Sequence, residues 1–379
     1  MLKLSIYIFI IIFPFFSLLK KQVVYTIGRK KIKRRKVYWV FVAAILSLIS
    51  ISTKTYTDID IYTNIFDWTN AGTTNFDNIG WALLCRIFYY LGFNYRGMIP
   101  FVISFSVWLI SRACKRIDIQ EEKILSLMLL FPGMMNIIQL KYFLAMSIII
   151  YSITYLQKPD GRSYVFKYVL GIVVATLIHS ASIFCIIFLL AIAFEKINTS
   201  KTIYYMLASL IVIIVSLKFI PIIASKFLRA EVVSRYFTGA VEISSLNWIV
   251  EISISWGLMI LVAWLNIKAS GIAIKNPIKF KSEGQLFVSR SFTIICLVGV
   301  ALPLLLYDQN FHRFVEIEYL IGYMIVMYCE DNGNFGNRIS KSILAVLLFV
   351  SIAYSMRYFV TLDRIFPLFS WDGIVSLRR

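Results

Sequence analysis

A chain of 379 residues that is 59% hydrophobic, 16% aromatic and 16% charged falls well short of the roughly one quarter of charged residues in a soluble domain. With a mean hydropathy of +0.78 and apolar blocks along its whole length, it excludes a water-soluble core and is read as an all-α polytopic membrane protein. The net charge of +19, from 39 Lys+Arg against 20 Asp+Glu, does not describe a nucleic-acid-binding face, because so apolar a chain has no soluble basic surface to present. The bases are expected instead in cytoplasmic loops, where they fix topology.

In chain order, residues 4–19 read as a first transmembrane helix rather than a signal peptide, since no small-residue cleavage site follows Leu19. Residues 20–36 hold nine basic and no acidic residues and mark the cytoplasmic side. Further spans are predicted at 37–53, 98–111, 124–139, 142–156, 202–220, 247–267, 291–307, 314–328 and 342–359. The loop 268–290 carries Lys268, Lys275, Lys279, Lys281 and Arg290 against Glu283, and is also predicted to be cytoplasmic. Parity then requires 167–194 to cross twice, as a tight hairpin with His179 near its outer tip. Each arm is short at about 1.5 Å per residue, so a broken or tilted pair is expected. The result is a single integral membrane domain, 1–379, of about 12 transmembrane helices with both termini outside. Its cytoplasmic loops collect 25 of the 39 basic residues and 8 of the 20 acidic ones. No repeat of 20–50 residues stands out, which argues against a secondary transporter. The five cysteines have no paired spacing and there are two histidines, so a Cys/His zinc site is not expected.

Three outward segments carry the polar chemistry: 54–97, 221–246 and 308–318. Within the first, Ile79 to Phe93 is apolar and aromatic but interrupted by Arg86, and is predicted to be a short amphipathic or re-entrant helix at the outer surface. Asp58 and Asp60 form a D-x-D that suits a divalent ion, or a solvated loop. The aromatics Tyr62, Trp68, Trp81, Tyr89 and Tyr90 suit sugar stacking or an interfacial belt. An ionisable group at membrane depth costs about 2.5–3.5 kcal/mol on insertion scales and points to function by default. Lys141, splitting the apolar run 124–156, binds an anion or snorkels at a turn. His179 is a base or is bonded to Ser180 or Ser182. Arg313 binds an anion or pairs with Glu316 at i+3. Glu251, in the opening turn of a predicted helix, is expected to interact with the helix dipole.

The order of these features resembles the EpsG-type, Wzy-like (O-antigen polymerase-like) polysaccharide polymerases of bacterial surface-glycan pathways. Thr57-Asp58-Ile59-Asp60-Ile61-Tyr62 is similar to the family's first outward-loop D-x-x-x-Y. Asp77-Asn78-Ile79-Gly80-Trp81-Ala82-Leu83-Leu84 is similar to its E-P-G-F-x-x-L stretch. Gln139-Leu140-Lys141-Tyr142-Phe143-Leu144-Ala145 resembles its R-Q-x-x-A helix start, and Leu177-Ile178-His179-Ser180-Ala181-Ser182 its L-x-H-x-S hairpin. His312-Arg313-Phe314 followed by Tyr319 resembles its outward R-[FIL]-x-x-Y. The chain departs from the pattern at several points. Lys141 stands for the usual Arg and Tyr142 for Gln, Asn78 and Ile79 replace Glu and Pro, and the Tyr after Arg313 falls two residues late. A lysine attracts phosphate as a point charge but lacks the bidentate fork.

The resemblance implies a glycosyl transfer on the outer face of the bacterial plasma membrane. A glycan on undecaprenyl pyrophosphate passes to a hydroxyl of another lipid-linked repeat unit, and lipid pyrophosphate leaves. Arg313, Lys141 and Arg86 are expected to hold the pyrophosphate. His179, with Asp58 second, is expected to take the acceptor proton. Asp60, Tyr62, Trp81 and His312 are expected to line the substrate site. No metal and no cofactor are expected. The implied partners are undecaprenyl-pyrophosphate-linked oligosaccharide repeat units, a chain-length regulator and a flippase, and no nucleic acid. Two other readings remain open from the sequence. One is a polyprenyl-dependent glycosyltransferase or O-antigen ligase, and the other is a lipid-linked oligosaccharide flippase or transporter.

Overall fold

The computed structural model describes residues 24–27, 30–33, 38–52, 63–67, 78–157, 162–194, 220–227, 283–301 and 312–331, with isolated positions elsewhere. These residues are helical apart from one antiparallel hairpin, β1 (Val24–Ile27) and β2 (Lys30–Lys33), in which Val24 pairs with Lys33 and Ile27 with Lys30. The hairpin lies inside the basic segment 20–36, which its charge had marked only as a loop. The predicted spans 4–19, 202–220, 247–267 and 342–359 lie outside the described residues apart from isolated positions.

The helices follow in order. They are α1 (Tyr38–Ser52), α2 (Ile79–Tyr90), α3 (Tyr95–Arg116), α4 (Glu121–Leu130), the short α5 (Gly133–Asn136), α6 (Leu140–Ile153) and α7 (Arg162–Ile178). After these come a 3-10 helix (Ser180–Leu189), α8 (Leu190–Phe194), α9 (Ile220–Phe227), α10 (Glu283–Ala301) and α11 (His312–Asp331). Among the described helices, α3 alone is long and apolar enough to cross a bilayer by length and composition. Its 22 residues span about 33 Å at 1.5 Å per residue, against a hydrocarbon core of about 30 Å.

The boundaries shift from the hydropathy blocks where polar groups join the helices. The block 98–111 lengthens to Tyr95–Arg116, because Asn94 caps it, accepting from the Gly97 N–H at 2.9 Å. Lys115 and Arg116 occupy its last turn, where the helix dipole favours cations. The block 124–139 divides into α4 and α5 on either side of Pro132, which cannot continue a helix interior. Residues 283–290 of the loop 268–290 are helical, and Arg290 is buried there, its guanidinium donating to the Leu156 carbonyl.

The chain divides into two compact units. The first holds residues 1–155, 162–186 and 335–379, and the second 156–161 and 187–334. In the first unit α1 packs on α3 and α4, α3 on α6, α6 on α7, and α2 on α7. The helices carry apolar residues on both faces. In α3, Met98, Val102, Ile103, Val107 and Ile110 are buried, whereas Phe101, Phe105 and Trp108 are exposed at i, i+4 and i+7. In α7, Phe166, Leu170, Val173, Val174 and Leu177 form a second exposed stripe. A helix apolar all round suits a hydrocarbon solvent rather than water, and outward stripes of this kind exceed the scattered apolar residues of a soluble surface.

Chain reversal follows α7. Residues 180–189 form the 3-10 helix, and the Tyr168 hydroxyl donates to the Cys185 carbonyl at 2.5 Å. Continued in one direction from His179, these two positions would lie about 28 Å apart at 1.5 Å per α-helical and 2.0 Å per 3-10 residue. The backbone therefore folds back at His179, and its second arm is 3-10 rather than an ideal α-helix. Gly171 makes the α6–α7 approach possible, since a Cβ there would sit 1.9 Å from Ser152 Oγ.

Candidate functional site

The helix α2 is fixed at both ends. At its C-terminus Gly92 has φ +81°, its N–H donates to the Tyr89 carbonyl, and the Phe93 N–H donates to the Phe88 carbonyl. This is a Schellman cap, completed by the edge-on contact of Phe88 and Phe93 at 5.9 Å between ring centroids. At its N-terminus Asn78 occupies the cap position, yet its side chain makes no bond to its own helix. Its Oδ1 instead accepts from the Ser180 N–H at 2.9 Å, 102 residues along the chain. Gly80 allows that approach, because a Cβ there would stand 3.0 Å from the backbone of Leu177.

α2 buries Trp81, Ala82 and Cys85 and exposes Ile79, Leu83, Ile87 and Tyr90 at helical spacing, with Arg86 half-buried between the two faces. The predicted amphipathic helix is thus present, and its outer face is apolar. Burial pushes the Cys85 thiol up to about 12, and the Lys141 ammonium pulls it the other way. Lys141 therefore lies within electrostatic reach of α2.

Lys141 is half-buried in the second residue of α6, whose first turn has no side-chain cap from Gln139 and whose first backbone bond runs from the Phe143 N–H to the Gln139 carbonyl. The next residue, Tyr142, packs edge-on against the His179 ring, with centroids 5.5 Å apart. His179 is buried at the α7 turn. Its N–H donates to the Ala175 carbonyl, and its carbonyl accepts from the Ser182 N–H. Three separate patches, 77–84, 139–145 and 177–182, thus meet at one end of the first unit. The Arg96 guanidinium, at the same end, donates to the Ile51 carbonyl at 2.9 Å and so ties α3 to α1.

The remaining predicted residues fall elsewhere. Asp58, Asp60 and Tyr62 lie outside the described residues. His312 opens α11 in the second unit, and Arg313 beside it is half-buried. Glu316 is 1% exposed and neither of its carboxylate oxygens is hydrogen-bonded, although the Arg313 charge acts on it. The i, i+3 spacing thus gives the electrostatic contact suggested by sequence, with no hydrogen bond to either carboxylate oxygen. Tyr319 is buried one turn further on, its ring against Tyr323 at 6.0 Å. In the sequence Asn78 stands out only as a departure from a motif. Its place just before an apolar helix was the available signal of a cap, and the partner it actually serves was not visible.

Neither a curated protein nor a solved structure matches the chain. The model of the EpsG family matches residues 36–370, most of the chain, including all three converging patches and Arg313. The chain belongs to the EpsG family of membrane polysaccharide polymerase-like proteins, with a role in polysaccharide biosynthesis.

Proposed function

We propose that this chain is a metal-independent glycosyltransferase that polymerises a bacterial surface polysaccharide at the outer face of the plasma membrane. It would transfer a growing glycan from an undecaprenyl-pyrophosphate donor to a lipid-linked repeat unit. The observation that carries the reading is the meeting of the 77–84, 139–145 and 177–182 patches through Asn78–Ser180 and Tyr142–His179, in a chain of this family.

The chemistry follows from the residues. An acceptor hydroxyl attacks the donor's anomeric carbon, the carbon–oxygen bond to pyrophosphate breaks, and the electron pair leaves with the lipid pyrophosphate. The hydroxyl proton goes to His179, with Asp58 as the second choice. Arg313, Lys141 and Arg86 neutralise the leaving pyrophosphate. Lys141 is supported by its position, since a cation in the first turn of a helix is disfavoured by the dipole by about 0.3–1 kcal/mol. The same helix end and the same ammonium both favour an anion. Asp60, Tyr62, Trp81 and His312 are assigned to the sugar and its surroundings. Buried Trp81 would have to act at the floor of the site rather than on its surface.

The basic segments 20–36 and 268–290 are proposed to be cytoplasmic, and 54–97, 221–246 and 308–318 outward, across about twelve spans. A chain-length regulator and a flippase are the proposed protein partners. The test is genetic and biochemical. In a strain lacking the native copy, His179→Ala and Arg313→Ala should abolish long-chain surface glycan while lipid-linked single repeats accumulate, and Arg313→Lys should keep part of the activity. Normal chain-length ladders in both alanine variants refute the site assignment.

A further inference from the structure

At the end of the first unit away from His179, two exposed apolar stripes run into cations. On α3 the stripe of Phe101, Phe105 and Trp108 continues at the same helical spacing to exposed Arg112 and half-buried Arg116. On α7 exposed Lys167 heads the stripe of Leu170, Val174 and Leu177, at i+3, i+7 and i+10. α6 packs on both helices. It is half-buried at Ile148 and Tyr151, and the chain is so again at Tyr155, just past its end. The Tyr155 ring joins the two stripes. The Arg116 guanidinium lies 3.8 Å from its centroid and the Lys167 ammonium 5.9 Å. Arg116 also lies 5.9 Å from the Tyr151 ring, and Lys167 5.3 Å from that of Tyr164. A guanidinium stacked on a ring uses its face, which leaves the N–H donors of its edge for an oxyanion. Of the neighbouring acids, Glu121 is buried and taken by Lys115 and the Ser111 hydroxyl. With Asp118 and Glu122 it makes three acids against five cations, Arg112, Lys115, Arg116, Lys123 and Lys167.

The excess of positive charge calls for an anion, and the stripes decide its kind. Phe101 to Arg112 is about 16 Å, and Lys167 to Leu177 about 15 Å, at 1.5 Å per residue. Each is close to half of a hydrocarbon core of about 30 Å, which is the depth of one leaflet. Trp108, Tyr151, Tyr155 and Tyr164 gather at the charged end, as aromatics do at headgroup level. A soluble anion would use the cations and leave the stripes uncovered. A molecule with an anionic head and apolar chains one leaflet long uses both. We propose that the α3, α6 and α7 ends bind an anionic phospholipid, with its phosphate on Arg116, Lys167 and Arg112 and its acyl chains along the two stripes. In the orientation proposed above, this lipid belongs to the inner leaflet. It takes no part in glycosyl transfer and anchors the helix ends opposite His179.

The test uses the full-length protein in detergent, as wild type and three variants. These are Lys167→Gln, Arg116→Gln combined with Lys167→Gln, and Lys30→Gln combined with Lys33→Gln, which removes as much charge from the β1–β2 hairpin. Thermal unfolding is followed alone, with phosphatidylglycerol, with phosphatidylcholine of the same chains, and with glycerol phosphate. A ligand that binds the folded state raises the midpoint. Wild type should bind phosphatidylglycerol at least about tenfold more tightly than phosphatidylcholine, and glycerol phosphate at the same concentrations should give no shift. The Arg116 and Lys167 double variant should lose the preference, Lys167→Gln should keep part of it, and the hairpin variant should keep it all. Each preference compares two lipids on one protein, so a lower unliganded midpoint leaves it readable. If the double variant does not fold, Lys167→Gln, at an exposed position, decides by a reduced or an unchanged preference. Equal binding of the two lipids by wild type overturns the proposal, as does an unchanged preference in the Arg116 and Lys167 variant. An equal loss in the hairpin variant overturns it in favour of net charge, and an equal shift with glycerol phosphate in favour of a soluble anion.

Discussion

The two ends of the first unit handle positive charge in opposite ways. At one end Lys115 and Arg116 lie in the last turn of α3, where the dipole favours them. Lys115 pairs with Glu121 at 3.0 Å, and Arg116 sits over the Tyr155 ring at 3.8 Å, with Lys167 over the same ring at 5.9 Å. Ser111 donates to the same Glu121 carboxylate. At the other end Lys141 lies in the first turn of α6, where the dipole opposes it, beside the histidine, tyrosine and asparagine contacts of three distant patches. The first arrangement improves stability. The second adds to the cost of folding, and the lipid pyrophosphate proposed above is the anion that would offset it.

The sharpest way to break this comparison is charge reversal at each end. Lys141→Glu should lower polymer yield on the order of 100-fold, the scale of losing one preorganised charge at a leaving group. Arg112→Glu, at the exposed end of α3 over Trp108, should leave yield within about threefold, the exposed charge being worth little. Surface-glycan ladders from strains with matched membrane levels of each variant read both. Equal losses would mean that the two ends do not differ in function.

Next in size is the close approach of α6 and α7. Gly171→Ala drives a methyl into Ser152 Oγ and should cost about 1–3 kcal/mol by overpacking. Ser152→Gly in the same chain should recover most of that stability in a detergent melt, and failure to recover would show that the α6–α7 spacing is not set there. Removing the ring-bound cation by Arg116→Ala should lower stability by about 0.5–2 kcal/mol and leave polymer length unchanged. A shortened ladder with normal stability would make that end functional after all.

Smallest is Asn78→Ala, which removes one hydrogen bond worth about 0.5–1.5 kcal/mol. It should reduce turnover by no more than about tenfold through loosening of the His179 turn. Asn78→Asp, which keeps the accepting oxygen, should restore most of it, and no difference between the two variants would mean that the Ser180 contact is incidental.

Much of the architecture was legible along the chain because transfer from water to hydrocarbon is a local, nearly additive quantity. The blocks 37–53, 142–156 and 314–328 correspond to α1, α6 and α11 within a few residues. The reversal at His179 followed from parity and charge alone, and the Tyr168–Cys185 bond shows the chain folding back there. The hairpin 24–33 was hidden, since a run of lysines and arginines masks the alternation that marks a strand. The helical start at Glu283 was hidden in the same way, because a topological rule sorts charges by side and not by secondary structure.

By itself, then, the sequence determined the solvent of this protein, the family-like patches and their order. Only the tertiary structure decided which patches touch. Asn78 serves a turn 102 residues away instead of its own helix, the Tyr142 ring lies edge-on against His179, and Glu316 is buried one turn beyond Arg313 with no hydrogen bond to its carboxylate oxygens. These outcomes depend on which helix faces pack together, and packing is a property of surfaces brought together by the whole chain, which no local window of residues contains.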